Sequence, residues 1–162
     1  MATTRKVTVI GIGQTLRGDD AAGMEAVRRW QETFPDTSRR PEIIAQFSEL
    51  PGLGLLDLLD GFDAALLVDA VQSSAQPGHI HRLGIEDLAA FGTETKSAHG
   101  WGVAESVQLG MQVNPSLAAV HIRLIGIEAQ QVQLGQQMSG PVLAAIPDAC
   151  QAIEKEIQAL LA

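Results

Sequence analysis

The chain has 162 residues, of which 46% are hydrophobic and 19% are charged, and its formal net charge at pH 7 is −8. This length predicts one domain, residues 1–162, that buries about 70% of its unfolded surface. The negative charge argues against nucleic acid and against an anionic membrane as binding partners.

Apolar segments of strand and helix character alternate along the chain. The first six residues are too few and too polar for a signal peptide, and no apolar run reaches the roughly 18 residues of a membrane helix, which predicts a cytoplasmic protein. Strands are predicted at 6–12, 42–47, 64–71, 79–83 and 119–127. Helices are predicted at 19–34, 53–59, 99–112 and 141–161, with turns at 35–41 and 76–78 and a loop over 86–97.

This alternation predicts an α/β fold. Near-continuous apolar strands indicate a largely parallel sheet that is covered by helices on both faces. If strand one lies between strands two and three, the sheet has a switch point at their C-terminal ends, where open α/β sheets bind ligands. The single cysteine, Cys150, lies on the apolar face of the last helix, and we interpret it as a core residue. It excludes an internal disulfide and a cysteine-based zinc cluster within one chain.

The loop after strand one carries two adjacent carboxylates, Asp19 and Asp20. A dinucleotide-binding fingerprint needs a third glycine where this chain has Leu16. The spacing from Gly13 to Gly18 fits a phosphate-binding loop, but a lysine and a hydroxyl should then follow instead of two aspartates. Carboxylates at this point suit a cation, so we interpret the segment as a metal-facing loop. The alternative is a helix cap, because aspartate is a preferred residue at helix starts.

Two further residues belong to the same predicted edge of the sheet. Asp69 ends an otherwise apolar strand, where a buried carboxylate needs a donor, solvent or a cation. His99 begins the third long helix, where the helix dipole favours the neutral imidazole that binds metal. Together with the aspartate pair, these residues suit zinc, nickel or another divalent transition ion. The alternatives are a loop-capping carboxylate for Asp69 and a backbone-bonded histidine for His99.

Other chemical groups give weaker signals. His79 and His81 share one face of a strand, but no carboxylate partner is evident, and we interpret them as a solvated edge face. The sequence has no Gly-x-Ser-x-Gly elbow, no reactive cysteine setting and no His-Glu-x-x-His motif.

Several motifs together resemble the hydrogenase maturation endopeptidases. Gly11-Ile-Gly-Gln-Thr-Leu-Arg-Gly-Asp-Asp-Ala-Ala-Gly23 resembles the family's opening motif, Gly-x-Gly-Asn-x-Leu-x-x-Asp-(Asp/Glu)-x-x-Gly. Leu-Leu-Val-Asp69-Ala and Ser97-Ala-His99-Gly are similar to its second and third motifs. Ile125-Gly-Ile-Glu-Ala, Leu134-Gly and Met138-Ser-Gly-Pro-Val resemble its final strand and the start of its final helix. The chain departs from the pattern at Gln14, at the short Asp20 side chain, and at residues 47–52, where the family often has Gly-Gly-Thr.

The resemblance implies a three-layer α/β/α fold around a five-stranded, mostly parallel sheet of order 2-1-3-5-4, with strand four antiparallel. It implies an aspartyl endopeptidase that removes the C-terminal extension of a nickel–iron hydrogenase large-subunit precursor after nickel insertion. Asp20, Asp69 and His99 match the family's metal-contacting residues and are our candidates for the catalytic set. The metal would be nickel carried by the substrate. A water activated by the metal or by a carboxylate is the chemically sensible nucleophile.

Two other functions stay open at this stage. One is a flavodoxin-like protein that binds a small molecule without catalysis, with the acidic loop acting as a helix cap. Arg17 is the only cation between residues 14 and 18, which gives a phosphate little to bind. The other is a peptidase of the same fold whose substrate is not a hydrogenase.

Overall fold

The computed structural model describes residues 3–49, 53–84, 86–87, 96–97 and 103–162. These residues contain six strands, β1 (Val7–Ile12), β2 (Ile43–Ser48), β3 (Ala64–Gln72), β4 (Ile80–Gly84), β5 (Lys96–Ser97) and β6 (His121–Glu128). They also contain five α-helices, α1 (Ala22–Thr33), α2 (Pro35–Ser38), α3 (Leu53–Asp57), α4 (Val103–Val113) and α5 (Gly140–Leu161). Residues 86–87, where the predicted loop over 86–97 begins, are helical as well. Short 3-10 turns cover Gly18–Ala21 and Pro115–Ala119.

Five of the strands lie side by side in the order β2-β1-β3-β6-β4. All neighbouring pairs are parallel except β4 with β6, which is antiparallel. The predicted α/β sheet is therefore confirmed, including the position of β1 between β2 and β3. The two-residue strand β5 adds a second antiparallel pairing, with the end of β3. The sequence predicts a loop at these two residues, because a strand of two residues is too short to show the alternation of apolar and polar side chains.

Helices cover the sheet on both faces. Side chains of β3 alternate between two cores, with Leu66 and Val68 on one face and Ala65 and Leu67 on the other. Helices α1 and α5 pack on the first face, and α3 and α4 pack on the second. The largest side chain of the first core, Trp30, is fully buried, and its indole N–H donates to Glu154 at 2.8 Å. Each large apolar side chain buried in these layers contributes about 1.5–3 kcal/mol of hydrophobic stabilisation.

Cys150 lies in the first core, as predicted. Its thiol is 3.5 Å from the carbonyl oxygen of Ala26, to which it donates a hydrogen bond, and burial raises the pKa of the thiol. Among the described residues, no helix is both long enough and apolar enough to cross a membrane.

Most predicted boundaries differ from the structure by one or two residues, and two segments differ more. The helix predicted from Asp19 begins as a 3-10 turn, in which the Asp20 N–H donates to the Arg17 carbonyl at 3.1 Å, and α1 starts at Ala22. The turn predicted over 35–41 contains the one-turn helix α2, which Pro35 begins with a φ angle already suited to a first helical turn. The helix predicted at 99–112 is α4, and residues 98–102 lie outside the described chain.

The buried carboxylate of Glu156 joins α5 to the sheet through ion pairs with two arginines. The Glu156 carboxylate accepts hydrogen bonds at 3.0 Å from the Nε atoms of both Arg82 on β4 and Arg123 on β6. Burial raises the pKa of Glu156, but the hydrogen bonds and charges of the two arginines outweigh it, so the pKa lies below its usual range. The ionised carboxylate is thus favoured by folding.

We expect Glu156→Gln to lower the free energy of unfolding at pH 7 by about 1–3 kcal/mol, since hydrogen bonds to a charged group are lost. Because the folded pKa is depressed, this contribution is present above the unfolded value of about 4.3 and disappears as the pH falls through the folded pKa. Urea unfolding at pH 7 and at successively lower pH measures it. Glu25→Gln, which removes a surface pair with Arg28 and Arg29, is the control and should change stability little. A difference between wild type and Glu156→Gln that does not depend on pH would contradict the assignment.

Candidate active site

Asp20 is held at the point where β1 leaves the sheet. Its carboxylate is fully buried, and Oδ2 accepts a hydrogen bond from the Gln14 backbone at 3.0 Å. Gly13, with a φ of 151°, donates its N–H to the Ser48 carbonyl at 3.0 Å. A Cβ atom at Gly13 would collide with the carbonyl oxygen of Asp20, so only glycine permits this close turn.

Asp19 has a different role from its neighbour. Its fully buried carboxylate accepts four hydrogen bonds, from the backbone of Gln130 and Gln131 and from the N–H and hydroxyl of Ser139, at 2.6–3.0 Å. Neither the 3-10 turn nor α1 has a side-chain cap at its N-terminus. The helix-cap interpretation is therefore wrong for Asp19, which anchors the loop that connects β6 to α5.

The first turn of α1 brings the Asp20 segment against β3. A Cβ atom at Gly23, three residues after Asp20, would collide with the carbonyl oxygen of Val68 and would lie 2.7 Å from that of Ile12. The helix therefore begins in backbone contact with the residue that precedes Asp69. This close approach explains why a glycine ends the opening motif.

Asp69 lies at an opening between two strands. On the side of β3 that faces β1, pairing with β1 ends with Gly11 opposite Val68, and pairing with β5 begins with Ser97 opposite Val71. Asp69 falls between these two pairings, and only 1% of its surface is exposed. The predicted convergence of a carboxylate at the C-terminal end of β3 with the loop after β1 is thus observed in the backbone.

His99 lies outside the described residues, but the chain on both sides of it is described. Ser97 pairs with β3 two residues beyond Asp69. Val103, the first residue of α4, is buried in the same core as Leu67. Because strand side chains alternate, Leu67 and Asp69 point to the same face of the sheet. Residues 97 and 103, which flank residues 98–102, therefore both lie near Asp69. Residue 97 lies along the same side of β3, and residue 103 lies on the same face of the sheet.

No three His, Cys, Asp or Glu side chains of the described residues are grouped closely enough to hold a metal ion. Asp20 and Asp69 would supply two oxygen ligands, and a third ligand would have to come from His99 or from the bound substrate. Two carboxylates and one imidazole leave coordination positions open, which suits a transition ion that arrives with ligands of its own.

The interpretation of His81 as part of a solvated face is wrong. Its Nε2 lies 3.0 Å from Oε1 of Glu128, which is buried at the end of β6, and the Ser73 N–H and hydroxyl also donate to this carboxylate. The three residues clamp the C-terminal ends of β3 and β6 to the N-terminal end of β4. The sequence hides this pair because His81 and Glu128 are 47 residues apart, although Glu128, like Asp69, is a carboxylate near the C-terminal end of an apolar strand.

Gly126 separates this clamp from Asp69. It pairs with Asp69 on one side and with His81 on the other, so all three residues lie in one row across the sheet. Since paired residues of adjacent strands point to the same face, His81 and Asp69 face the same side. The side chain of Val71 lies over the intervening Gly126, where an added Cβ atom would be 3.1 Å from Val71 Cγ2 and 3.5 Å from His81 Cβ, so Val71 fills that point of the row.

Comparisons with known proteins identify the family of this chain. Residues 51–156 match the family model HycI, hydrogenase maturation protease. Among curated proteins, the chain is 24% identical over 155 residues to the coenzyme F420 hydrogenase subunit delta of Methanothermobacter thermautotrophicus, covering 94% of both chains.

Solved structures of hydrogenase maturation proteases have the same fold as this chain. The NiFe hydrogenase maturation protease HybD from Thermococcus kodakarensis is 26% identical, with a TM-score of 0.73 over 94% of this chain and 99% of that one. The maturating endopeptidase HybD from E. coli shares the fold at 20% identity, with a TM-score of 0.76 over 94% and 92% of the two chains.

The family model spans about two thirds of the sequence and includes both Asp69 and His99. A hydrolytic family of this kind excludes the non-catalytic, flavodoxin-like alternative. The chain belongs to the hydrogenase maturation protease family, and it is an endopeptidase.

Proposed function

We propose that this endopeptidase removes the C-terminal extension from the large-subunit precursor of a nickel–iron hydrogenase after nickel has been inserted. Asp20, Asp69 and His99 recognise the nickel that the precursor carries. The same three residues form the catalytic set that acts on the adjacent peptide bond. Residues 1–162 act as one domain in the cytoplasm, without nucleic acid or membrane as partners.

The observation that carries this proposal is the convergence of three chain segments beside Asp69. Gly23 brings the Asp20 segment into contact with the residue before Asp69, and β5 pairs with β3 two residues after it. Asp20 and Asp69 place two buried carboxylates at one end of the sheet, and a divalent cation supplied by the substrate would be attracted by their negative charges. An enzyme with this site would engage only a precursor that already holds the metal.

The chemistry of the proposed step follows from these groups. Hydrolysis adds water to the carbonyl carbon of the scissile bond, breaks the bond to nitrogen and transfers a proton to the departing amine. A carboxylate at the site accepts the proton from the attacking water. Nickel bound to the precursor places the scissile bond near that carboxylate, so recognition and hydrolysis occur at one place.

We expect the purified protein to shorten the nickel-loaded precursor and to leave the nickel-free precursor intact, because only the loaded form supplies the cation. Mass spectrometry of both precursors before and after incubation measures the result. A precursor from which nickel has been removed and then restored is the control for damage during extraction. Equal cleavage with and without nickel would contradict recognition of the metal. Absence of cleavage in either state would indicate a peptidase of this family with another substrate.

A further inference from the structure

A shallow groove lies next to Asp20. It has a volume of about 250 Å³ and is lined by Gln14, Thr15, Leu16, Glu49 and Leu134, and we call it the Leu16–Leu134 groove. Leu16 is 71% exposed and Leu134 is 76% exposed, which places them among the most exposed large apolar side chains of the described residues. Single exposed leucines are common on protein surfaces, but two that share a groove beside a candidate active site point to a binding surface.

The walls of this groove are fixed to each other. The Gly135 N–H donates to the Leu16 carbonyl at 2.8 Å, and Arg17 Nε donates to the Val132 carbonyl at 3.2 Å. The two exposed leucines therefore come from loops that are joined at the backbone. These hydrogen bonds hold the two loops in place, so neither loop can rotate to bury its leucine unless the bonds break.

The inner end of the groove reaches the candidate active site. Gln14, which lines it, donates its backbone N–H to the Asp20 carboxylate. On the other wall, Glu49 follows β2, and the preceding Ser48 accepts the hydrogen bond from Gly13. A chain lying in the groove would thus be separated from the buried Asp20 carboxylate by the backbone of Gln14.

Size and location favour a peptide over a small molecule. Sites for small ligands and cofactors typically enclose about 300–1,000 Å³, so this groove is at or below the lower end of that range. A larger groove of about 440 Å³, which includes Leu109 and Val113, lies at the C-terminal end of α4, near residues that precede β3 and β6. It is therefore at the opposite edge of the sheet from Asp20 and Asp69.

We propose that the Leu16–Leu134 groove binds the segment of the hydrogenase precursor that adjoins the scissile bond, with apolar side chains of that segment placed against Leu16 and Leu134. This inference rests on the proposed function, because it takes the precursor as substrate. The groove holds the segment extended, so that its backbone passes Asp20 while the nickel is engaged at the sheet edge. Apolar contact outside the metal site is what distinguishes this precursor from other nickel-carrying proteins.

The test compares two variants in the groove with one outside it. Leu134→Glu and Leu16→Ser change exposed residues of the groove, and Val113→Glu changes an equally exposed residue, 74% accessible, at the opposite edge. We expect Leu134→Glu to raise the KM for the nickel-loaded precursor by about tenfold or more, since burial of one leucine contributes about that factor. The kcat should stay within about twofold, as expected when binding contacts are lost without loss of chemistry. Leu16→Ser should give a smaller rise in KM, and Val113→Glu none.

Two further measurements separate this proposal from the proposed function. Melting temperatures check that each variant is folded. Biolayer interferometry with the immobilised precursor measures binding directly. If wild type does not cleave the precursor but binds it more tightly than Leu134→Glu does, the proposed function fails and the groove assignment holds. A KM unchanged in Leu134→Glu, an equal rise in Val113→Glu, or a wild type that neither cleaves nor binds the precursor would overturn the groove assignment.

Discussion

Replacement of Asp69 by asparagine is expected to abolish cleavage of the nickel-loaded precursor while the protein stays folded. Asparagine has nearly the same shape, so the buried position between β1 and β5 remains filled, but the negative charge that binds the cation is lost. Groups that merely support a metal ligand lose roughly 10–100-fold on mutation, so loss of a direct ligand should exceed 100-fold. Asp20→Asn should have the same effect, for the same reason.

Two measurements check this expectation. Mass spectrometry follows cleavage over time, and calorimetric titration with nickel measures binding by wild type, Asp20→Asn, Asp69→Asn and His99→Ala. Glu128→Gln is the matched control, because it neutralises another buried carboxylate at the same sheet edge that belongs to the His81 clamp. The melting temperature of Asp69→Asn should lie within roughly 4 °C of wild type, equivalent to about 1 kcal/mol. Nickel binding and cleavage that persist in Asp20→Asn, Asp69→Asn and His99→Ala would refute the proposed ligand set.

Replacement of Asp19 by alanine should cause a large loss of stability, whereas Asp69→Asn should lose activity and stay folded. The change leaves four donors of residues 130, 131 and 139, of which those of Ser139 are buried, without their carboxylate. Hydrogen bonds to a charged group contribute about 1.5–3 kcal/mol each, so we expect a loss of about 3–5 kcal/mol. For a chain of this size, that cost corresponds to a melting temperature lower by roughly 6–20 °C.

Denaturant unfolding of Asp19→Ala, with Asp60→Ala as the control at an exposed position, measures the loss. Nickel titration at a temperature where the variant is folded then tests whether Asp20 still binds. A stability close to that of wild type would show that the hydrogen bonds to Asp19 contribute little. Stability near wild type combined with loss of nickel binding would make Asp19, rather than Asp20, the functional member of the pair.

Local pattern was sufficient to predict the main elements, whereas the sheet order came from the resemblance to the family. The continuous apolar runs of β1 and β3 and the regular period of α5 determine their own structure from neighbouring residues, and Gly13 and Gly23 mark close backbone approaches. The position of Asp69 near the C-terminal end of an apolar strand also follows from the sequence alone. Because strand ends in a parallel sheet meet at one edge, this position predicts that Asp69 lies close to the loop after β1.

What the sequence could not distinguish depends on contacts between distant residues. Asp19 and Asp20 are chemically identical neighbours, and only the loop that begins more than 100 residues later makes the first of them an anchor. The His81–Glu128 pair likewise joins two strands that become neighbours only in the folded sheet. Contacts between residues that are distant in sequence produce no periodic pattern, so they cannot be predicted from periodicity.

The Asp19 anchor makes substrate preference a joint property of two loops. The loop that Asp19 holds carries Leu134, and the residue after Asp19 is the carboxylate proposed to meet the nickel. The peptide surface and the metal-facing carboxylate are therefore preorganised as a unit, which lowers the entropic cost of binding an extended segment. Transplanting residues 130–139 from a relative would transfer its preference only if the residue corresponding to Asp19 were transplanted with them.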